Sequence, residues 1–489
     1  MLASVHCAPL VSSLGLISML SLAGCGADAG PVDAGPIDAS PSDADSDASS
    51  LPACLELAPV VAGTSETDAV ADAPPRCGAT SAWLRSERLG EIVTRVPGTG
   101  YSIPLLRGLA AGAGVTLPRD PQHAVATETL AYLTQDRGAL VQSSALIAYP
   151  SDLDAREELP ILLVLHGTSG FRAGCGPTSD SASQALAALL ASYGWIAIAP
   201  DYLGMESLGE PYGAIHPYLV GEATALASLD AVRAASRLVA ADRGALCTSA
   251  EVAVFGGSQG GHATLWVDRL APYYARELEL IGAVATVPTA DVSGQAERAL
   301  TSVVPATSNF AAMLATQAPW YGADDALASI FASPYDVDVP AALAASCSAG
   351  IDTPATLDAL FTTSFLDAVA TAGVESVAPA GCWLRESSLT TTSVPRLAHT
   401  AAGYGILWVV GSEDTLIHPP IERAAYDTLC AAGMPLEYLE CEGASHTEAS
   451  VWAIPELLEF LDARRAGEVF APQCTRPAAG RCRGTPAAP

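Results

Sequence analysis

The segment Glu251-Val252-Ala253-Val254-Phe255-Gly256-Gly257-Ser258-Gln259-Gly260-Gly261-His262-Ala263 constrains the fold most, because an apolar strand-like run meets a Gly-x-Ser-x-Gly turn and passes directly into a helix-forming stretch. A strand that reverses this sharply pins its central residue in a backbone conformation most side chains avoid. Positions 256 and 260 must also lack side chains if neighbouring elements are to approach. The serine hydroxyl is then presented at a helix start, where free amides and the helix dipole favour developing negative charge. In a chain with 42 glycines the bare pattern carries little weight. The flanks supply it: Val252, Val254 and Phe255 precede the turn, and Ala263, Leu265, Trp266, Val267 and Leu270 follow at helical spacing.

The same alternation runs through much of the chain. Pro160 to Gly167 and Gly194 to Pro200 are continuous apolar runs, separated by an alanine-rich helix over about 181–193, as suits strands covered on both faces of a parallel sheet. A helix over 220–240, strand 251–255, helix 262–274 and strand 280–286 follow; after a long interruption come strands 406–410 and 436–441 and a helix over 447–464. Upstream, Thr127 to Leu133 and Gly138 to Tyr149 predict a hairpin, and the stretch before Gln122 is irregular. The class is α/β, a mostly parallel sheet flanked by helices with ligand chemistry at the carboxyl ends of its strands. Residues 291–400, with short alanine- and phenylalanine-rich helices such as Asn309 to Thr316 and Thr356 to Ala372, read as a helical cap inserted over the sheet.

A serine hydroxyl needs a base, and the base needs a carboxylate to orient it. Asp414 lies in Gly411-Ser412-Glu413-Asp414 after strand 406–410, and His446 lies in Glu442-Gly443-Ala444-Ser445-His446 after the strand ending near Cys441. The order Ser258, Asp414, His446 is that of the α/β-hydrolase fold. Glu413 and Glu442 are rival acids. His418, His262 and His216 are weaker candidates for the base, His216 because no carboxylate is close to it in sequence. The oxyanion of an attacked ester needs two amide donors: Gln259, directly after the serine, and one from the His166-Gly167-Thr168 turn, with Thr168 preferred to Gly167. Metal and organic cofactors are not needed for such chemistry.

Composition narrows the partners. The net charge is -30, from 53 acidic and 23 basic residues, and every one of the basic residues is arginine. Nucleic acid is excluded as a partner by repulsion of phosphates, and the absence of lysine excludes Schiff-base chemistry and a Walker-type loop. The apolar run from about Val11 to Leu22 suits an export signal, ending in Leu22-Ala23-Gly24-Cys25. That tetrapeptide resembles the bacterial lipoprotein signal, which implies cleavage after residue 24, lipidation of Cys25 and attachment to a cell-envelope membrane; plain secretion is the alternative. Residues 25–50, with Asp recurring every fifth residue among Ala, Gly and Pro, read as a disordered tether. Ten cysteines from Cys54 to Cys482 remain, an even number that argues for disulfides in an oxidising compartment. Expected pairs are Cys347 with Cys382 in the cap and Cys474 with Cys482 in the tail at 473–489. Cys430, near the end of the helix that feeds strand 436–441, and Cys441, which closes that strand, should not pair.

Pro200-Asp201-Tyr202-Leu203-Gly204, His216-Pro217-Tyr218-Leu219, Gly221-Glu222-Ala223, Gly257-Ser258-Gln259-Gly260-Gly261-His262-Ala263-Thr264 and Ser445-His446 resemble the secretory lipase family of the lipase A type, over about residues 130–465. The resemblance implies serine carboxylester hydrolysis of a lipid or other ester, a helical cap before the acid-bearing strand, and Ser258, Asp414 and His446 in the triad positions; the α/β-hydrolase core, with an N-terminal extension, is expected over 51–290 and 401–472. A serine peptidase or acyltransferase on the same scaffold, or a tethered binding protein that has lost catalysis, are the alternatives.

Overall fold

The continuous apolar runs become the middle of a nine-stranded sheet. The computed structural model describes residues 54–60, 69–72, 76–77, 82–242, 246–472 and 474–487. The expected signal peptide, the lipidated Cys25 and the tether to residue 50 lie outside them. The strands are β1 (Ala69–Asp72), β2 (Ala82–Arg85), β3 (Ile92–Pro97), β4 (Val125–Asp136), β5 (Ala139–Pro150), β6 (Glu157–Leu165), β7 (Ile196–Pro200), β8 (Leu246–Gly257), β9 (Glu279–Thr286), β10 (Ile406–Gly411) and β11 (Leu436–Cys441). β1 and β2 form a separate ribbon, and the large sheet has the order β11-β10-β9-β8-β6-β7-β5-β4-β3. Pairing is parallel from β7 through β6, β8, β9 and β10 to β11, and antiparallel from β7 through β5 and β4 to β3.

The central strands carry continuous apolar stretches, residues 161–165 in β6 and 252–255 in β8, because helices cover both faces. Ile161, Leu163, Val252, Val254, Ile406 and Trp408 pack on one side with helices Gly221–Asp242, Gln259–Tyr274 and Pro419–Ala431. Leu162, Val164, Ala253, Phe255, Leu407 and Val409 pack on the other with helices Ser181–Ala191 and Ile454–Arg465. The β4–β5 hairpin closes through Arg137 and Gly138, both at positive φ (47° and 83°), which matches the twist of the flanking strands.

Several local expectations change. The irregular stretch before Gln122 contains β3 and helix Ile103–Gly112. The closing helix is two, His446–Trp452 and Ile454–Arg465, with Pro455 in the first turn of the second, where its missing N–H costs no hydrogen bond. Seven α-helices between Val292 and Ser387 form the insertion that separates β9 from β10. Thr356 to Ala372 is not one helix: Phe361 bridges to Phe331, and Thr362 caps a new helix by accepting from the Phe365 amide.

All ten cysteines from Cys54 to Cys482 are paired, as befits an exported protein, but both expected pairs are wrong. The bonds are Cys54–Cys247, Cys77–Cys382, Cys175–Cys347, Cys430–Cys474 and Cys441–Cys482. The tail does not close on itself. It returns along the β11 edge, where Gly480 bridges to Cys441 and exchanges backbone bonds with Glu440 and Glu442, so Cys482 meets Cys441 and Cys474 meets the end of helix Pro419–Ala431. Cys347 and Cys382 instead fasten the insertion to a core loop and to the N-terminal segment. Cys430 and Cys441 stay apart, as expected. Non-reducing peptide mapping is expected to recover these five links; a Cys347–Cys382 or Cys474–Cys482 peptide would contradict this path of the chain.

Candidate active site

Ser258 stands between β8 and helix Gln259–Tyr274 with φ 58° and ψ −118°, the strained elbow that the glycine pattern implies. The glycines are demanded by crowding. A Cβ on Gly260 would lie 1.9 Å from the Leu165 carbonyl oxygen at the end of β6, and one on Gly256 would lie 2.2 Å from the Gly260 carbonyl oxygen. The Ser258 amide donates to the Thr286 carbonyl at 2.9 Å, which ties the turn to the end of β9.

The structure brings Ser258, His446 and Asp414 together from three strand ends. His446 opens its helix, and its Nε2 lies 2.9 Å from Ser258 Oγ. Its Nδ1 lies 2.6 Å from Asp414 Oδ2. Those contacts fix the roles: Nδ1–H donates to the carboxylate, which leaves Nε2 to accept from the serine hydroxyl. The other Asp414 oxygen accepts from the amides of Leu416 (2.8 Å) and Ile417 (2.9 Å), a turn that suits the short aspartate side chain. Asp414 is buried, whereas the rivals Glu413 and Glu442 are exposed.

The other histidines are placed elsewhere. His418 is the N-cap residue of helix Pro419–Ala431, and the His262 ring lies 2.9 Å from the Ser387 carbonyl. Burial pushes His166 and His262 down to about 4 and His216 to about 3, so these are neutral imidazoles at neutral pH. The 166–168 turn lies against the elbow: a Cβ on Gly167 would be 3.6 Å from Ser258 Cβ. Among the described residues, neither the Gln259 nor the Thr168 amide donates to a backbone carbonyl in a turn, loop or cap. The Thr168 hydroxyl lies 2.8 Å from the Tyr218 hydroxyl, and Gln259 Nε2 lies 2.8 Å from His216 Nε2.

Sequence reasoning missed how the insertion grips the acid loop. In helix Val292–Ala299, Arg298 donates to the carbonyls of Thr415 (2.8 Å) and Leu416 (3.1 Å), and the Gln295 carboxamide receives the His418 amide at 3.1 Å. Gln295 Nε2 also donates to buried Glu422 at 3.1 Å. No residue spacing announces these contacts, since they join segments more than 100 positions apart.

A mixed, mostly parallel sheet with a serine elbow, a histidine and an aspartate at its strand ends is the α/β-hydrolase architecture. The chain belongs to the secretory lipase family, whose profile matches residues 179–471. It is similar to Lipase 7 of Candida albicans, with 33% identity over 101 residues, a match spanning 20% of this chain and 21% of that protein's length. Among solved structures it resembles the rice cell wall degrading esterase LipA from Xanthomonas oryzae, at 17% identity and TM-score 0.61, covering 78% of this chain and 98% of the other. It also resembles Candida antarctica lipase A in its closed state, at 15% identity and TM-score 0.59, covering 82% and 88%.

Glu422 supplies a pH test of the acid-loop support. Burial pushes its carboxyl from 4.5 up to about 8, with the Gln295 and Ala290 hydrogen bonds offsetting only part of the effect. Between those values the folded protein keeps a proton that the unfolded chain has released, so stability falls as pH rises through the window. Glu422→Gln is expected to flatten that decline, measured by denaturant unfolding across the same range; an identical pH dependence in both proteins would contradict it.

Proposed function

We propose that the chain is a serine carboxylester hydrolase that acts on acylglycerols or other lipid esters through an acyl-enzyme on Ser258. The observation that most supports this is the unbroken contact line Ser258–His446–Asp414, at 2.9 and 2.6 Å. As ester carbon is attacked, His446 Nε2 takes the serine proton, while Asp414 holds the ring's tautomer and stabilises the imidazolium. The carbonyl oxygen, now negative, is received by the amides of Gln259 and Thr168. His446 returns the proton to the departing alkoxide. In the second half His446 takes a proton from water, the hydroxide adds to the acyl carbon, and His446 returns that proton to Ser258 Oγ as the carboxylic acid leaves.

The insertion serves as the cap. Its buried Phe310, Met313, Leu314, Phe361 and Phe365 form one apolar cluster with Phe171 and Tyr218 from the loops around the site. An acyl chain entering along the edge of that cluster would gain about 0.8 kcal/mol per buried methylene. Export, with lipidation of Cys25 and the 25–50 tether, would hold the enzyme at an envelope membrane.

Aryl esters from acetyl to palmitoyl, assayed beside peptide substrates, test this reading. The expected result is a kcat/KM that rises beyond butyryl, no peptide cleavage, and losses of at least about 1,000-fold in Ser258→Ala and His446→Ala, with the double variant little worse. Preference for acetyl esters would leave a short-chain esterase, peptide turnover would leave a peptidase, and full activity in Ser258→Ala would move the chemistry elsewhere.

A further inference from the structure

The loop His216-Pro217-Tyr218-Leu219 is buried beside the serine elbow, yet proton transfer among Ser258, His446 and Asp414 makes no use of it. His216 donates from Nδ1 to the Leu203 carbonyl at 2.9 Å, which leaves its Nε2 to accept from Gln259 Nε2 at 2.8 Å. Gln259 is the residue that follows the nucleophile. Two positions along, the Tyr218 hydroxyl lies 2.8 Å from Thr168 Oγ1. The loop therefore holds, through His216 and Tyr218, the side chains of both residues whose amides the proposed mechanism assigns to the oxyanion.

The loop is itself fixed from several sides. The His216 amide donates to the Phe171 carbonyl at 2.9 Å, and the Tyr218 and Phe171 rings meet edge to face at 5.2 Å. The His216 ring stacks on Tyr202, which stacks in turn on His166, the first residue of the 166–168 turn. Gly204 must be glycine for this approach, since a Cβ there would lie 2.7 Å from the His216 nitrogen. From the insertion, helix Pro305–Trp320 contributes Gln317, whose Nε2 donates to the Tyr218 carbonyl at 3.0 Å, and Asn309, whose Nδ2 donates to the Tyr218 hydroxyl at 3.3 Å. The phenol oxygen thus accepts from Asn309 and shares a second hydrogen bond with Thr168 Oγ1.

We propose that the 216–219 loop is the positioning element of the oxyanion site: His216 sets Gln259, Tyr218 sets Thr168, and helix Pro305–Trp320 sets Tyr218. This rests on the Ser258 mechanism above. Oxyanion donors act only if they are held at the position that the charge will occupy, within about half an ångström. Without the Tyr218 hydroxyl the Thr168 side chain is free to rotate and its turn is loosened. Because Asn309 belongs to the insertion, displacement of that helix is transmitted to the oxyanion site.

The test pairs a soluble short-chain ester with its thionoester, in which sulfur replaces the carbonyl oxygen and accepts hydrogen bonds poorly. Tyr218→Phe keeps the ring and removes the contact. It is expected to lower kcat on the ester about 10- to 100-fold with KM within about threefold, and to lower the ester-to-thionoester rate ratio by a similar factor. General damage to the fold would reduce both substrates alike. An unchanged ratio, or a kcat within twofold of the parent, would overturn the proposal. Should Tyr218→Phe fail to fold, Asn309→Ala cuts the same line from the insertion and is expected to lower the ratio several-fold; no change there would overturn it equally. Ser258→Ala run in parallel separates the two readings. Activity in that variant refutes the underlying mechanism, whereas an inactive Ser258→Ala beside an unchanged ratio in Tyr218→Phe refutes the positioning role alone.

Discussion

The rest of the site depends on the closeness with which the serine elbow is wedged against the neighbouring strand. At position 260 the space for a Cβ ends 1.9 Å away at the Leu165 carbonyl, so any side chain there would push β6 and β8 apart at the end where they must stay together. That crowding, with Gly256 relieving the other side of the turn, permits Ser258 to remain at φ 58°. Strain of this kind costs on the order of 1–3 kcal/mol and persists because the surrounding packing over-determines it. The turn also leaves the Gln259 amide at the helix start, so one backbone geometry supplies both the hydroxyl and the donor proposed for the oxyanion.

Around this fixed point the sheet order does the convergence. β6 and β9 flank β8, and β10 and β11 continue on the β9 side. The 166–168 turn therefore arrives from one direction and the Asp414 and His446 loops from the other. The insertion between β9 and β10 does more than cover this edge. Helix Val292–Ala299 holds the backbone of the acid loop through Arg298 and Gln295, and helix Pro305–Trp320 holds Tyr218. Further contacts secure its return path: buried Asp268 receives Arg396, His399 and Tyr404, bonds that outweigh burial and hold its carboxyl well below the ordinary range.

What was legible in the sequence was what local pattern determines. The elbow, the central strands and the order Ser258, Asp414, His446 follow from apolar runs and glycines within a dozen residues of each other. Asp414 could be preferred to Glu413 because a short carboxylate suits a tight turn, and the Leu416 and Ile417 amides are that turn. The disulfides were not legible, because Cys482 finds Cys441 only when the tail has joined the β11 edge. Nor is the placement of His216 legible, because the sequence shows no carboxylate near it. Its partners are a carbonyl 13 residues earlier and a carboxamide 43 residues later, neither of which carries a charge that spacing could flag.

The central claim is that Ser258 is a nucleophile activated by His446. Treatment with a fluorophosphonate followed by mass spectrometry of the peptide spanning 244–269 measures that directly. The account predicts one phosphonyl adduct per chain, on Ser258, with ester hydrolysis lost in proportion to its formation. Complete inactivation with the adduct on another residue, or a saturating reagent that leaves both Ser258 and the activity untouched, would contradict it.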